Sequence, residues 1–217
     1  MRTLSFHRNA LIGLMGVLAA VGSVSAGTTI AYWPFGERGL NDASGNGHTL
    51  EGGATLDDHA TLGGTAETVL STVEKLDLSG YDDVTVEYFI KVKDHSGTAS
   101  VIEHSASMNA NVGGFQALLN DRDPGDQRAS VLINAAGNSK IPCIDSASGP
   151  FQNGAWHHVA FVIKSKSEAA YSTSALSDYI LSLYIDGNPI AYGGKRSSLT
   201  SHKGPTTLRN EKLFIGS

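Results

Sequence analysis

The chain has 217 residues and a formal net charge of −5, enough length for one domain of ordinary size and the wrong sign for a nucleic-acid partner. No run of Lys and Arg is present to hold an anionic membrane surface. The single cysteine, Cys143, excludes an intrachain disulfide, so a hydrophobic core must stabilise the fold, and Cys143 reads as one small buried apolar residue.

Residues 1–26, MRTLSFHRNALIGLMGVLAAVGSVSA, have the pattern of a secretory signal peptide. Arg2 and Arg8 give a basic start, residues 10–21 an apolar stretch, and Val24-Ser25-Ala26 a small-residue cleavage site. The apolar stretch is shorter than the roughly 20 residues of a membrane-spanning helix. The expectation is cleavage near Ala26 and a soluble mature chain, residues 27–217, that is secreted or held at the cell surface without membrane insertion. Loss of Arg2 and Arg8, with no Asp or Glu in the leader, takes the formal charge from −5 to −7.

After the leader, 25 glycines punctuate short runs rich in Val, Ile, Leu and Tyr, which predicts an all-β domain. TIAYWPF is the first predicted strand. VTVEYFIKVK is the clearest: Val84, Val86, Tyr88, Ile90 and Val92 share one face, and Thr85, Glu87, Phe89, Lys91 and Lys93 the other. SVIEHS, GFQALLN, ASVLIN and AWHHVAFVI follow as strands. A polar Ser- and Ala-rich connection, residues 164–178, then predicts a long surface loop. In YILSLYIDGNPIAY the apolar alternation runs into Asp186-Gly187-Asn188, a hairpin signal. KLFIG is the last predicted strand. No internal repeat or Pro-rich linker marks a second domain.

Several of these pieces, in order, carry a family resemblance. AYWPFGERGLNDASGNGHTLEGG, YDDVTVEYFIKV, GAWHHVAFVI, LSLYIDGNPIA and KLFIGS resemble the successive motifs of a LamG-like jellyroll domain of the concanavalin A-like lectin/glucanase superfamily. The resemblance covers nearly the whole of residues 27–217. It implies two antiparallel sheets packed face to face, and a final strand beyond the Ile-Gly strand. Because the chain stops at Ser217, the expectation is a sandwich lacking that strand in a truncated sequence, since an open sheet edge invites aggregation.

Residue chemistry is sparse. His157 and His158 are adjacent on a strand, so they point to opposite faces and cannot share a metal ion; their simplest role is packing and hydrogen bonding. Asn120, Asp121, Asp123 and Asp126, in NDRDPGDQ, are the best acidic cluster. Two readings stand, a solvated turn on Pro124-Gly125 and a loop of oxygen ligands for calcium. The spacing fits no EF-hand, and the Pro-Gly turn breaks the alignment that the similar E-x-D-x-x-E motif of β-glucanases needs. In LNDASGNGH, Asn41, Asp42, Ser44 and Asn46 read as turn formers; the resemblance adds calcium at Asp42. Aromatics make up 7% of the chain. Trp33 and Trp156 read as core, and Phe115, Tyr171 and Tyr192, nearer loops, as candidates for a recognition surface.

The reading that results is an all-β, two-sheet antiparallel jellyroll sandwich. Its expected function is non-catalytic binding of a carbohydrate or other extracellular ligand through rim loops, with an extracellular glycan or surface protein as partner and calcium as the one candidate cofactor. Two alternatives stay open. A glycoside hydrolase of the same architecture requires two carboxyls about 5–10 Å apart, and a structural or adhesive segment of a larger surface protein requires no small ligand.

Overall fold

A computed structural model describes residues 4–6, 13–14, 27–63, 65–81, 83–93, 97–108, 114–119, 128–133, 143–146, 149–151, 154–165, 179–190, 208 and 210–216. Its strands are β1 (Leu4–Phe6), β2 (Gly13–Leu14), β3 (Leu50–Gly52), β4 (Thr55–Leu56), β5 (Ala60–Leu62), β6 (Leu70–Thr72), β7 (Leu76–Asp77) and β8 (Asp83–Val92). There follow β9 (Ala99–Ser105), β10 (Phe115–Leu119), β11 (Ala129–Ile133), β12 (Cys143–Asp145), β13 (Trp156–Ser165), β14 (Tyr179–Ile185), β15 (Asn188–Pro189) and β16 (Asn210–Ile215). Two short 3₁₀ turns are the only helical elements among the described residues.

The strands form two antiparallel sheets. The first runs β15-β14-β13-β8-β1-β5-β4, with β2 also on β8; the second runs β12-β11-β10-β9-β16-β6-β3, with β7 on β16. The chain is an all-β sandwich, consistent with a jellyroll, and the predicted strands from VTVEYFIKVK onward are all present.

Strand alternation places one face of each sheet in a shared core. From the first sheet come Val84, Val86, Tyr88, Ile90 and Val92 of β8, Val159, Phe161 and Ile163 of β13, and Leu183 of β14. The second contributes Phe115, Ala117 and Leu119 of β10, Val131 of β11, and Leu213 and Ile215 of β16. Phe115 and Phe161 meet edge to face, with centroids 5.4 Å apart, and so join the two sheets.

Two expectations need correction. TIAYWPF belongs to no ladder among the described residues. Ile30, Ala31, Trp33 and Phe35 are buried, but the backbone is held by a loop: Ala43 N donates to Tyr32 O, Ser44 Oγ to Ile30 O, and Asn46 Nδ2 to both Thr29 O and Ile30 O. Trp156, expected in the core, is half-buried on the outer face of the first sheet, edge-on to His59 at 5.6 Å. Trp33 is a core residue, with Nε1 donating to His48 O at 2.6 Å.

The Asp-Gly signal is met in detail. Ile185 pairs with Asn188 across a two-residue turn, and Asp186 (φ 52°) and Gly187 (φ 76°) both have positive φ, as a type I′ turn requires. Gly114 is needed for a different reason. At φ +78° a Cβ there would sit 2.0 Å from the carbonyl oxygen of His104, which is itself buried with Nε2 2.8 Å from Leu76 O.

Phe161→Ala should therefore lose about 3–5 kcal/mol in chemical denaturation, the usual range for a buried aromatic. Gly114→Ala should destabilise more than Gly187→Ala, although both pay the positive-φ strain, because nothing lies within 4 Å of a Cβ at Gly187.

Candidate functional site

The second sheet has another face. Residues directly opposite each other across an antiparallel ladder share a face, so the register defines a row: Ser71 opposes Phe214, Phe214 opposes Glu103, Glu103 opposes Gln116, and Gln116 opposes Leu132. A second row is Ser100, Leu118 and Ser130. Ser105 and Lys212 form a third. All point away from the core.

A β-bulge makes this arrangement possible. The pairing of β9 with β10 shifts between Ala117 and Leu118, whose partners are Ile102 and Ser100. Val101 is the extra residue, so Val101 and Ile102 both enter the core while Ser100 and Glu103 stay on the outer face.

The outer row is nonetheless screened from water. Glu103 and Ser105 are 0% exposed, Ser130 1%, and Gln116 and Ser100 4%. Leu118 and Leu132 form their own small apolar cluster. Phe214 and Ser71 are only half-buried, so the face opens to solvent at β16 and β6. Ser105 Oγ lies 2.7 Å from both Glu103 Oε1 and Ser107 O; one hydroxyl proton serves a single acceptor at a time. The hydroxyls of Ser100 and Ser130 are buried with no hydrogen-bond partner. Such groups cost about 1–3 kcal/mol each while unmet. Aromatic, carboxylate, amide and hydroxyl groups thus line one enclosed surface.

A family model of the concanavalin A-like lectin/glucanases superfamily matches residues 62–217. The chain belongs to that superfamily. No curated protein and no solved structure matches it. The superfamily match includes β6 and β8 to β16, and hence every residue of the outer rows.

Of the site residues that sequence reasoning selected, Phe115 and Asp42 are among the described residues, and both lie away from the outer rows. Phe115 is not at a surface: it is 0% exposed, stacked on His104 at 5.6 Å and packed on Phe161, because its position on β10 faces the core. Tyr171, Tyr192, Asn120, Asp121, Asp123 and Asp126 lie outside the described residues. Asp42 accepts four hydrogen bonds, from Tyr32 N and Ser44 N at Oδ1 and from Ser44 Oγ and His48 N at Oδ2. Among the described residues no three or more His, Cys, Asp or Glu converge as a metal site.

His157 and His158 do face opposite sides. Buried His157 has Nδ1 2.7 Å from Asp186 Oδ2 and its ring edge-on to Phe151. His158 has Nε2 3.3 Å from Glu87 Oε2, and its backbone N–H donates to Asp186 Oδ1 at 2.9 Å. Asp186 N returns a bond to His158 O. The carboxylate thereby staples the hairpin tip to the start of β13. Burial alone would raise the Asp186 pKa, but the hydrogen bonds from His157 and His158 outweigh it and hold the carboxyl below its ordinary value.

Phe214, Glu103 and Gln116 were not singled out from sequence. The available signal was the polar or aromatic residue at alternate positions of SVIEHS, GFQALLN and NEKLFI; nothing local to each strand shows that the three rows align.

Asp42 provides a pH test. Burial pushes its carboxyl up, yet the bonds from Ser44, Tyr32 and His48 prevail and lower it below 3.8. A lowered folded-state pKa means that the ionised form stabilises the fold; that contribution is complete above the unfolded value and lost as pH falls through the folded one. The melting temperature of Asp42→Asn should lie several degrees below wild type at pH 6, and the gap should narrow by pH 3. An unchanged gap would show that the charge of Asp42 is irrelevant.

Proposed function

We propose that the chain is an exported, non-catalytic carbohydrate-binding module whose contact surface is the outer face of the second sheet where it opens to solvent at Phe214 and Ser71, backed by buried Glu103 and Gln116. The observation that carries this reading is their register: an aromatic, a carboxylate and an amide stand side by side on β16, β9 and β10. A sugar presents hydroxyls at its edges and apolar C–H groups on its ring faces. An aromatic face covers the second, while the Ser71 hydroxyl beside Phe214 bonds the first and the buried carboxylate and amide form the polar floor behind them. Adjacent strands lie about 4.8 Å apart, so the three side chains span about 10 Å, the reach of a disaccharide. Ser100 and Ser130 add two buried hydroxyls without partners.

Binding is favoured over hydrolysis by carboxylate spacing. Among the described side chains of this face the other carboxylate is Glu51, opposite Ser71 and three ladders from Glu103, roughly 14 Å away. Glycoside hydrolysis uses two carboxyls about 5–10 Å apart. The recognition surface is thus the sheet face in preference to the rim loops, and the leader supports export.

Calorimetric titration against a panel of neutral and acidic oligosaccharides tests this. Phe214→Ala should weaken the tightest sugar at least tenfold and Glu103→Gln severalfold, while Trp156→Ala, on the other sheet, changes nothing. No reducing ends should be released on prolonged incubation. A panel without a binder, or a Phe214→Ala protein that binds like wild type, removes the proposal.

A further inference from the structure

Two opposite charges stand where the outer face of the second sheet opens to water. Lys212 Nζ lies 3.4 Å from Glu51 Oε1, and the two side chains are 35% and 58% exposed. Lys212 is on β16, two residues from Phe214, hence on the same face and about 7 Å along the strand. Glu51 is on β3, opposite Ser71, which in turn opposes Phe214. β6 runs between β16 and β3, so the ion pair closes over that strand beside the aromatic ring. The other polar groups of the face lie deeper, since Glu103, Gln116, Ser100 and Ser130 are 0–4% exposed.

The pair has little to do for the fold. At 3.4 Å it is longer than a good charge-assisted bond of about 2.7–2.9 Å, and an exposed pair of this kind contributes little stability and is screened by salt. Its use lies in what it presents. An ammonium only donates, through three N–H groups, and a carboxylate only accepts, through two oxygens, so each has capacity left after meeting the other. Together they form a donor and an acceptor side by side, with zero net charge.

We propose that Lys212 and Glu51 read two adjacent hydroxyls of a neutral sugar whose ring lies on Phe214, and so determine the specificity of this face. The inference rests on the sugar site described under the proposed function and supplies its substrate class. A hydroxyl both donates and accepts. Gauche hydroxyl oxygens on neighbouring ring carbons lie about one hydrogen-bond length apart, which matches the spacing of Nζ and Oε1. One hydroxyl accepts from Lys212, the other donates to Glu51, and both bonds are charge-assisted. A sugar that carries a carboxylate or sulfate is disfavoured here. Its attraction to Lys212 is offset by repulsion from Glu51 at a similar distance, and the chain's net charge of −5 adds no pull on an anion. Hydroxyls that are trans-diaxial, methylated or consumed in a glycosidic link do not span the two groups.

The test uses the full chain on an array of neutral oligosaccharides, each printed beside its mono-O-methylated, uronic-acid and sulfated counterparts. Wild type should favour the neutral members with free adjacent hydroxyls, and methylation of either hydroxyl of the bound pair should cost about tenfold. Lys212→Met and Glu51→Gln should each weaken neutral binding by about fivefold to tenfold, with melting temperatures like that of wild type. Glu51→Gln leaves the ammonium unpaired, so it should also raise binding of the acidic counterparts, an opposite change that a merely structural contact would not give. The exchanged pair, Lys212→Glu with Glu51→Lys, should recover neutral binding. If both single variants bind the neutral glycans as wild type does while Phe214→Ala does not, the diol reading is overturned and the sugar site stands. A wild-type preference for the acidic glycans overturns it in the same way. A wild type that binds nothing on the array, or a Phe214→Ala protein that binds as wild type does, removes the sugar site and this inference with it.

Discussion

The ladder between β8 and β13 is the constraint on which the rest of the sandwich depends. Nine residue pairs, from Trp156 opposite Lys91 to Lys164 opposite Asp83, lock the two ten-residue strands together. Side chains alternate with period two, so a slip of one residue would move Val159, Phe161 and Ile163 from the core to the outer face. The register is protected at one end by Asp186, whose carboxylate holds His157 and the backbone of His158 at once. Placing an Asp at φ 52° has a conformational cost that Asp tolerates better than most residues. The same residue thus shapes the turn of β14 into β15 and fixes where β13 begins.

The second sheet is fitted to that frame through Phe115, which meets Phe161 from below, and through β16, which inserts Leu213 and Ile215 between β9 and β6. Its outer face is what remains once these inner positions are assigned. Without the bulge at Val101, alternation along β9 could not bring Ile102 to the core at one end and Ala99 at the other while keeping Glu103 and Ser100 together outside. The polar floor beside Phe214 is therefore a product of packing geometry. Core and outer face are two readings of one set of registers.

Much of the architecture was legible in residue order. The alternation of VTVEYFIKVK and the Asp-Gly hairpin are signals within a dozen residues, and β8, β14 and β15 follow them closely. The short strands β3 to β7 gave no such signal, because two or three residues are too few to establish a period. TIAYWPF had the apolar content of a strand, but its neighbours bond it through the side chains of Asp42, Ser44 and Asn46, a tertiary substitution for a ladder that composition does not reveal. The candidate site was the least legible part. Phe115 and Phe214 are both single aromatics in short apolar runs, and only the pairing of their strands shows that one faces Phe161 and the other Glu103.

The two edges of β8 bear different relations to the rest of the chain. One is committed to β13 along almost its whole length. The other is held in two short stretches by residues 4–6 and 13–14. A buried strand cannot have one edge of hydrogen-bonding groups empty without a penalty of several unmet bonds, and β1 and β2 meet those of β8 at Ile90–Val92 and Val86–Glu87. The central strand that organises the fold is thus paired along both edges, continuously by β13 and in two short stretches by β1 and β2.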